Sequence, residues 1–410
     1  MLFRIAARNL WRAKRRTLIT LFTVAFGVWL AVTFTGTGDY TYTNILDTGA
    51  RLGFGHVTVE AAGYADAPGL DRPLRGAREV AATLQARPDV SRAIPRVVGQ
   101  AMFATASKSV GGMFFGVDPA QELPAVNTLL AGLSEGALFD DVDGRGVVVG
   151  SVMAEKLGLR LGKRLVYTLV DEEGQIVSEV ARVSGIFKTG VDEVDGSIAL
   201  LPLGRVQKVV GYGPDEATHV AIFLEDHREA QAVADALRPA AARAGEEVRT
   251  YRDTQPEMAG MVELDRSMNY LFQALVGLLI GAGVLNTILM SVLERRREFG
   301  IMMAIGSRPA ELFWMVVLES VLVGLAGLLV GAVLTAPWYV YMRDVGIDFT
   351  QMMEGSTAGG VLIDPVMRIT LYPESAAAIC AAVLLITVGA GLYPAWQAGR
   401  EPPVETLKAL

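Results

Sequence analysis

The densest run of chemically specific residues is Glu294-Arg295-Arg296-Arg297-Glu298-Phe299-Gly300-Ile301-Met302-Met303-Ala304-Ile305-Gly306. The run contains no histidine, cysteine or hydroxyl nucleophile. Carboxylates and guanidinium groups at such spacing make ion pairs along a helix. Bulky apolar side chains on a short polar helix, in turn, need a surface to cover them. The chemistry on offer is recognition of another protein. Elsewhere, His56, His219 and His227 are scattered and Cys380 is the single cysteine, so neither a metal cluster nor an internal disulfide is expected. Gly158-Leu159-Arg160-Leu161-Gly162-Lys163-Arg164 imitates a phosphate loop. It is one residue short between its glycines, and Arg164 stands where a magnesium-binding Ser or Thr belongs. A turn after a short helix is the expected structure there. No catalytic residue, metal site or nucleotide site is predicted in this chain.

The elements that must position the run are membrane helices. Half of the 410 residues are apolar and a fifth are charged. Four stretches stay uncharged for about 20 residues or more, the length a bilayer core demands: Thr17 to Gly38, Ser267 to Leu293, Ser320 to Met342 and Ser375 to Gly399. Arg4, Arg8, Arg12, Lys14, Arg15 and Arg16 precede the first. Arg295, Arg296, Arg297 and Arg308 follow the second, and Arg400 and Lys408 follow the fourth. The positive-inside rule then puts both termini in the cytoplasm. Those flanks carry a net +7, which leaves −14 of the total −7 for the rest of the chain. The long segment after the first span is therefore acidic and extracytoplasmic, with no signature of nucleic-acid binding.

The expected fold is four transmembrane α-helices with a large mixed α/β extracytoplasmic domain inserted between helices 1 and 2. In numbers, 1–16 is a cytoplasmic interfacial helix, with Arg4, Arg8, Arg12 and Arg15 on one side toward membrane lipids. Helix 1 is 17–38, the outer domain 39–266 and helix 2 267–293. The exposed run occupies 294–311, helix 3 312–342, an outer loop 343–374, helix 4 375–396 and a cytoplasmic tail 397–410. In the outer domain, strands are predicted at 55–60, 90–105, 113–117, 146–150, 164–170, 177–187, 197–202 and 219–224. Helices are predicted at 75–87, 151–159 and 226–244, with Asp226 as a cap, and a boundary between two blocks falls near 107–145. Glu319, about two turns into helix 3, needs a partner. It is expected to hydrogen-bond at a helix interface near the cytoplasmic surface. Gly277 with Gly281, and Gly324, Gly327 and Gly331, read as close helix packing.

The run from Asn286 to Pro309 closely resembles the coupling segment of the ABC-transporter permeases that include the macrolide-efflux, cell-division and lipoprotein-releasing branches. Glu294, Arg295, Glu298, Gly300, Ala304 and Gly306 occupy the positions of that pattern. Arg8-Asn9-Leu10-Trp11-Arg12 with Arg15-Arg16-Thr17 at the start is similar to the family. So is Tyr393-Pro394-Ala395-Trp396-Gln397-Ala398-Gly399-Arg400 with Pro403-Val404-Glu405 at the end. Phe115-Gly116-Val117-Asp118-Pro119, Ala154-Glu155-Lys156-Leu157-Gly158 and Gly185-Ile186-Phe187-Lys188-Thr189-Gly190 look most like the lipoprotein-releasing branch. The resemblance implies a permease of the bacterial inner membrane, docked through Glu294 to Gly306 on a separate ATPase dimer that carries the ATP and magnesium. It also implies a second permease subunit, identical or closely related, and a lipoprotein substrate passed to a periplasmic carrier by mechanotransmission. Arg295 and Glu298 are expected at the rim of the ATPase groove, with Phe299, Ile301 and Met302 filling it. Two neighbouring readings stay open: an efflux or export permease, and a cell-division-type regulator of a periplasmic cell-wall hydrolase.

Overall fold

A computed structural model of the chain describes residues 14–349, 357–358, 361–362 and 366–400. The expected interfacial helix, except for its last three residues, and the tail beyond residue 400 lie outside them. Two compact units are present. One is built on 14–41, Leu264–Phe349 and 366–400, and the other on Tyr42–Glu263.

Among the described residues, four helices are long and apolar enough to cross a membrane, and their apolar stretches lie in the first unit. They are α1 (Lys14–Gly49), α6 (Pro256–Glu294), α8 (Pro309–Asp344) and α9 (Pro373–Ala398). In hydrocarbon every polar group must find its partner inside the protein, and six hydroxyls do so within their own helix, while the buried Thr335 hydroxyl of α8 makes no such bond. Thr20, Thr23 and Thr33 donate to carbonyls four residues back, as do Thr287, Ser320 and Thr387. Trp338 donates its indole N–H to Thr33 at 3.0 Å, and Gln273 donates to Thr35 at 3.0 Å. The glycine stripes are packing positions, as read from the sequence. A Cβ on Gly331 would sit 2.8 Å from Val28, and one on Gly277 2.8 Å from Ile386. Small residues here let the helices approach closely.

The second unit is one ten-stranded mixed sheet with helices packed against it. Its strands are β1 (Val57–Ala61), β2 (Val90–Ala104), β3 (Ser109–Val117), β4 (Leu133–Gly136) and β5 (Gly146–Gly150). They continue as β6 (Arg164–Val170), β7 (Ile176–Phe187), β8 (Ile198–Pro202), β9 (His219–Leu224) and β10 (Glu246–Thr250). The order is β10-β1-β9-β2-β3-β8-β5-β7-β4, with β6 lying against β2 and β7. Helices α2 (Ala77–Gln85), α3 (Ser151–Leu157), α4 (Leu203–Val210) and α5 (Ala230–Ala244) carry their apolar stripes into a shared core. Asp226 accepts from the Arg228 N–H and caps the turn that leads into α5, as predicted. Gly158 and Gly162 take positive φ after α3, so the false phosphate loop is a turn.

One expectation is corrected. No domain boundary falls at 107–145; the division lies inside β2. The first half of this 15-residue strand pairs with β9, His219 opposite Arg96, and its second half pairs with β3, Val97 opposite Gly116. One uninterrupted strand thus serves both halves, and a single core runs beneath them.

The changeover is pinned by a buried charge pair. Arg96 and Glu122 have fully buried side chains and meet fork to fork at 2.7 and 2.9 Å. Arg96 also donates to the Gly53 carbonyl at 2.6 Å and lies over the Phe223 ring, while Asn127 donates to Glu122. His219 beside them stays neutral. Burial, and then the Arg96 charge, hold its pKa down to about 4.

Candidate coupling surface

The candidate site belongs to the membrane unit and is built at the end of α6. Glu294 is the last residue of that helix. Arg295 leaves helical geometry at φ −104°, ψ 14°, and a new short helix, α7, runs from Arg296 to Ala304. Glu298 in its first turn faces the positive end of the helix dipole. At the other end the Ser307 N–H bonds to the Met302 carbonyl and the Gly306 N–H to Met303. Gly306 takes φ +108°, a conformation that side chains resist, so this stop requires glycine. Pro309 then opens α8, with Glu311 accepting from the Arg308 N–H.

Three ionic contacts brace the junction between α6 and α7. Arg16 of α1 meets Glu294 at 2.6 Å. Arg295 reaches Glu298 at 3.0 Å and Glu319 of α8 at 3.4 Å. The Arg295 guanidinium also lies 5.1 Å above the Phe299 ring. Glu319 is buried, and its partner is the interface contact expected from the sequence.

The predicted site residues divide by direction. Phe299 and Gly300 point inward, and Phe299 is fully buried in one apolar cluster with Val292, Leu312, Met315 and Val316. This corrects the expectation that Phe299 fills a partner's groove. A ring already covered by the chain's own core has no surface left to offer. Met302 is half-buried against the same cluster. Glu294, Arg296, Arg297, Glu298, Ile301, Ala304 and Gly306 face outward, while Arg295 is half-buried. Ile305, outside the quoted family pattern, is the most exposed apolar side chain of the segment at 82 %, with Ile301 at 43 %. The surface is therefore an apolar pair, Ile301 and Ile305, beside the basic pair Arg296 and Arg297. Sequence reasoning missed Arg16 as a member, since 278 residues separate it from Glu294 and nothing local marks the pairing.

Comparison with known proteins matches two parts of the chain. The model of the FtsX-like permease C-terminal region matches residues 270–403, and that of the MacB-like periplasmic core domain matches 17–240. The chain is 26% identical to the lipoprotein-releasing system transmembrane protein LolC of Neisseria meningitidis serogroup B, over 60% of each chain. It is 24% identical to LolC of Xylella fastidiosa, over 97% of this chain and 96% of that one. Against the macrolide export ATP-binding/permease protein MacB of Nitrobacter winogradskyi it is 25% identical, over 96% of this chain and 58% of that protein.

Proposed function

Since the chain belongs to the MacB/FtsX/Lol family of ABC transporter permeases, we propose that it is the membrane subunit on which a separate ATPase dimer acts to release lipoproteins from the bacterial inner membrane. The observation that carries this reading is α7, which packs on the transmembrane helices through Phe299, follows a junction braced by Arg16–Glu294 and Arg295–Glu319, and presents Ile301, Arg296 and Arg297, with Ile305 at its end, outward. A partner gripping that face moves α8 with it, because the inner face of α7 is packed and ion-paired to that helix. ATP and magnesium belong to the partner. In this reading both termini and α7 are cytoplasmic, Tyr42–Glu263 is periplasmic, and an ATPase dimer with two equivalent grooves engages two permease subunits. A periplasmic carrier receives the cargo.

The docking test uses Ile305→Asp. Loss of an apolar anchor costs about 2 kcal/mol or more, roughly thirtyfold in affinity. An exposed rim charge such as Arg297 costs far less. Ile305→Asp should abolish permease-dependent ATP hydrolysis, while Arg297→Ala keeps most of it. Normal stimulation by Ile305→Asp would remove α7 from the interface.

What favours lipoprotein release over export is the alignment with Xylella LolC along nearly the full length of both chains. The comparable reach of the MacB match along this chain keeps export as a second reading. Depleting the protein from its host should strand lipoproteins in the inner membrane. Normal lipoprotein sorting combined with new sensitivity to macrolides would select export instead.

A further inference from the structure

The outer unit contains a cleft of about 680 Å³ that no step of the reading above uses. Its volume suits a small molecule. Phe54, Tyr64, Leu70, Val98 and Met113 give it apolar walls. Glu60 of β1 also lines it, although the residue is only 4 % exposed. No donor reaches its Oε1, and Arg249 of β10 approaches with Nε at 3.7 Å, too far for a hydrogen bond. That Nε atom lacks a partner too.

We propose that this cleft binds a small organic cation with an apolar skeleton, its ammonium group seated against the Glu60 carboxylate. Charge selects the sign. The lining carries four carboxylates, Glu60, Asp71, Asp171 and Asp253, against the single guanidinium of Arg249. Two of the four are already engaged. Asp171 accepts from the Glu173 and Gln175 N–H groups, and Asp253 from Thr250. Asp71 lies in the exposed rim beside Arg72. Glu60 alone combines burial with a carboxylate oxygen that no donor reaches, and Arg249, its ion-pair partner at 3.7 Å, is too far to hydrogen-bond to it; such an oxygen is costly until a donor joins it. The rings of Phe54 and Tyr64 favour a cation further.

Glu60 also couples the site to pH. Burial pushes its pKa up to about 7; Arg249 opposes that, and Glu247 and Asp253 add to it. Tyr64 and, across the strand pair, neutral His219 complete the titratable groups around it. A cation favours the ionised form, so below pH 7 binding must expel one proton. Affinity should rise about tenfold per pH unit up to about 7 and then level off.

The full chain in lipid nanodiscs, with empty nanodiscs subtracted, can be titrated with tryptamine and with its uncharged isostere tryptophol. Calorimetry in two buffers of different ionisation enthalpy counts the released proton. Tryptamine should bind at least tenfold tighter than tryptophol. Glu60→Gln should lose that preference and flatten the pH profile, with hydrogen exchange in β1 confirming its fold. Arg249→Gln, by removing the competing guanidinium, should tighten tryptamine binding. Equal affinity for the two probes on the unaltered protein overturns the proposal whatever the variants do. So does the absence of saturable tryptamine binding, or an unchanged affinity in Glu60→Gln. None of these measurements involves the ATPase, so their outcome is separate from that of the transport reading.

Discussion

Phe299→Ala is expected to destabilise the membrane unit by about 3–5 kcal/mol, the cost of emptying a ring-sized space in a packed core. The ring is fully buried among residues from the end of α6 and the start of α8, and it supports the Arg295 guanidinium on its face. Removing it leaves α7 held to the transmembrane helices only by the half-buried Met302 and Met303 and by the charges at its start. Hydrogen exchange across 296–316 should speed up sharply, and ATPase stimulation should fall because the grip no longer moves α8. Ile305→Asp should lose stimulation as well, but through lost docking and with unchanged exchange. If Phe299→Ala keeps parental exchange and stability yet fails to bind the ATPase, the ring faces the partner and the inward packing is wrong.

Glu122→Ala should cost the outer unit a comparable amount, about 3–5 kcal/mol, because it strands the Arg96 charge at a fully buried site. The Gly53 and Val126 carbonyls would still accept from the guanidinium, but no anion would offset it. Replacing both partners with apolar residues, Arg96→Met with Glu122→Leu, should restore much of the loss, since the cost lies in the unpaired charge rather than in the missing pair. The outer unit has no tryptophan, so hydrogen exchange of β2 and β9 in the full chain is the suitable readout. A Glu122→Ala protein with parental exchange in those strands would mean that the pair contributes nothing to holding the two halves of β2 in register.

Much of this architecture was legible because it rests on local signals. Long uncharged runs mark the four helices, and alternation marks strands such as 164–170 and 177–187 within a residue of where they lie. The failures concern direction and distance. In the coupling segment the sequence presents Phe299, Ile301 and Ile305 as equivalent apolar residues. Which of them the chain keeps for itself depends on α8, brought back against α7 by the turn at Gly306. The Arg96–Glu122 pair joins residues 26 apart, and neither neighbourhood announces a buried charge. β2 reads as one strand and is one strand; nothing local shows that its neighbour changes from β9 to β3 midway. Glu60 ends a run that alternates like an ordinary half-exposed strand. It is buried because β9 and β10 flank β1 on both sides.

That flanking also sets a timetable for the nascent chain. β1 is the first strand made, yet Val57 pairs with Ile222 and Thr250, the latter about 190 residues further along. At a synthesis rate of about 5–20 residues per second, the wait is on the order of 10–40 s. Loop closure on that scale cannot begin early, and sheets with such distant partners assemble slowly. Until β9 and β10 arrive, both edges of β1 stay open to pairing with other chains. Biogenesis of the outer unit is therefore limited by its last strands, and any truncation before residue 246 leaves its first strand without a neighbour on one side.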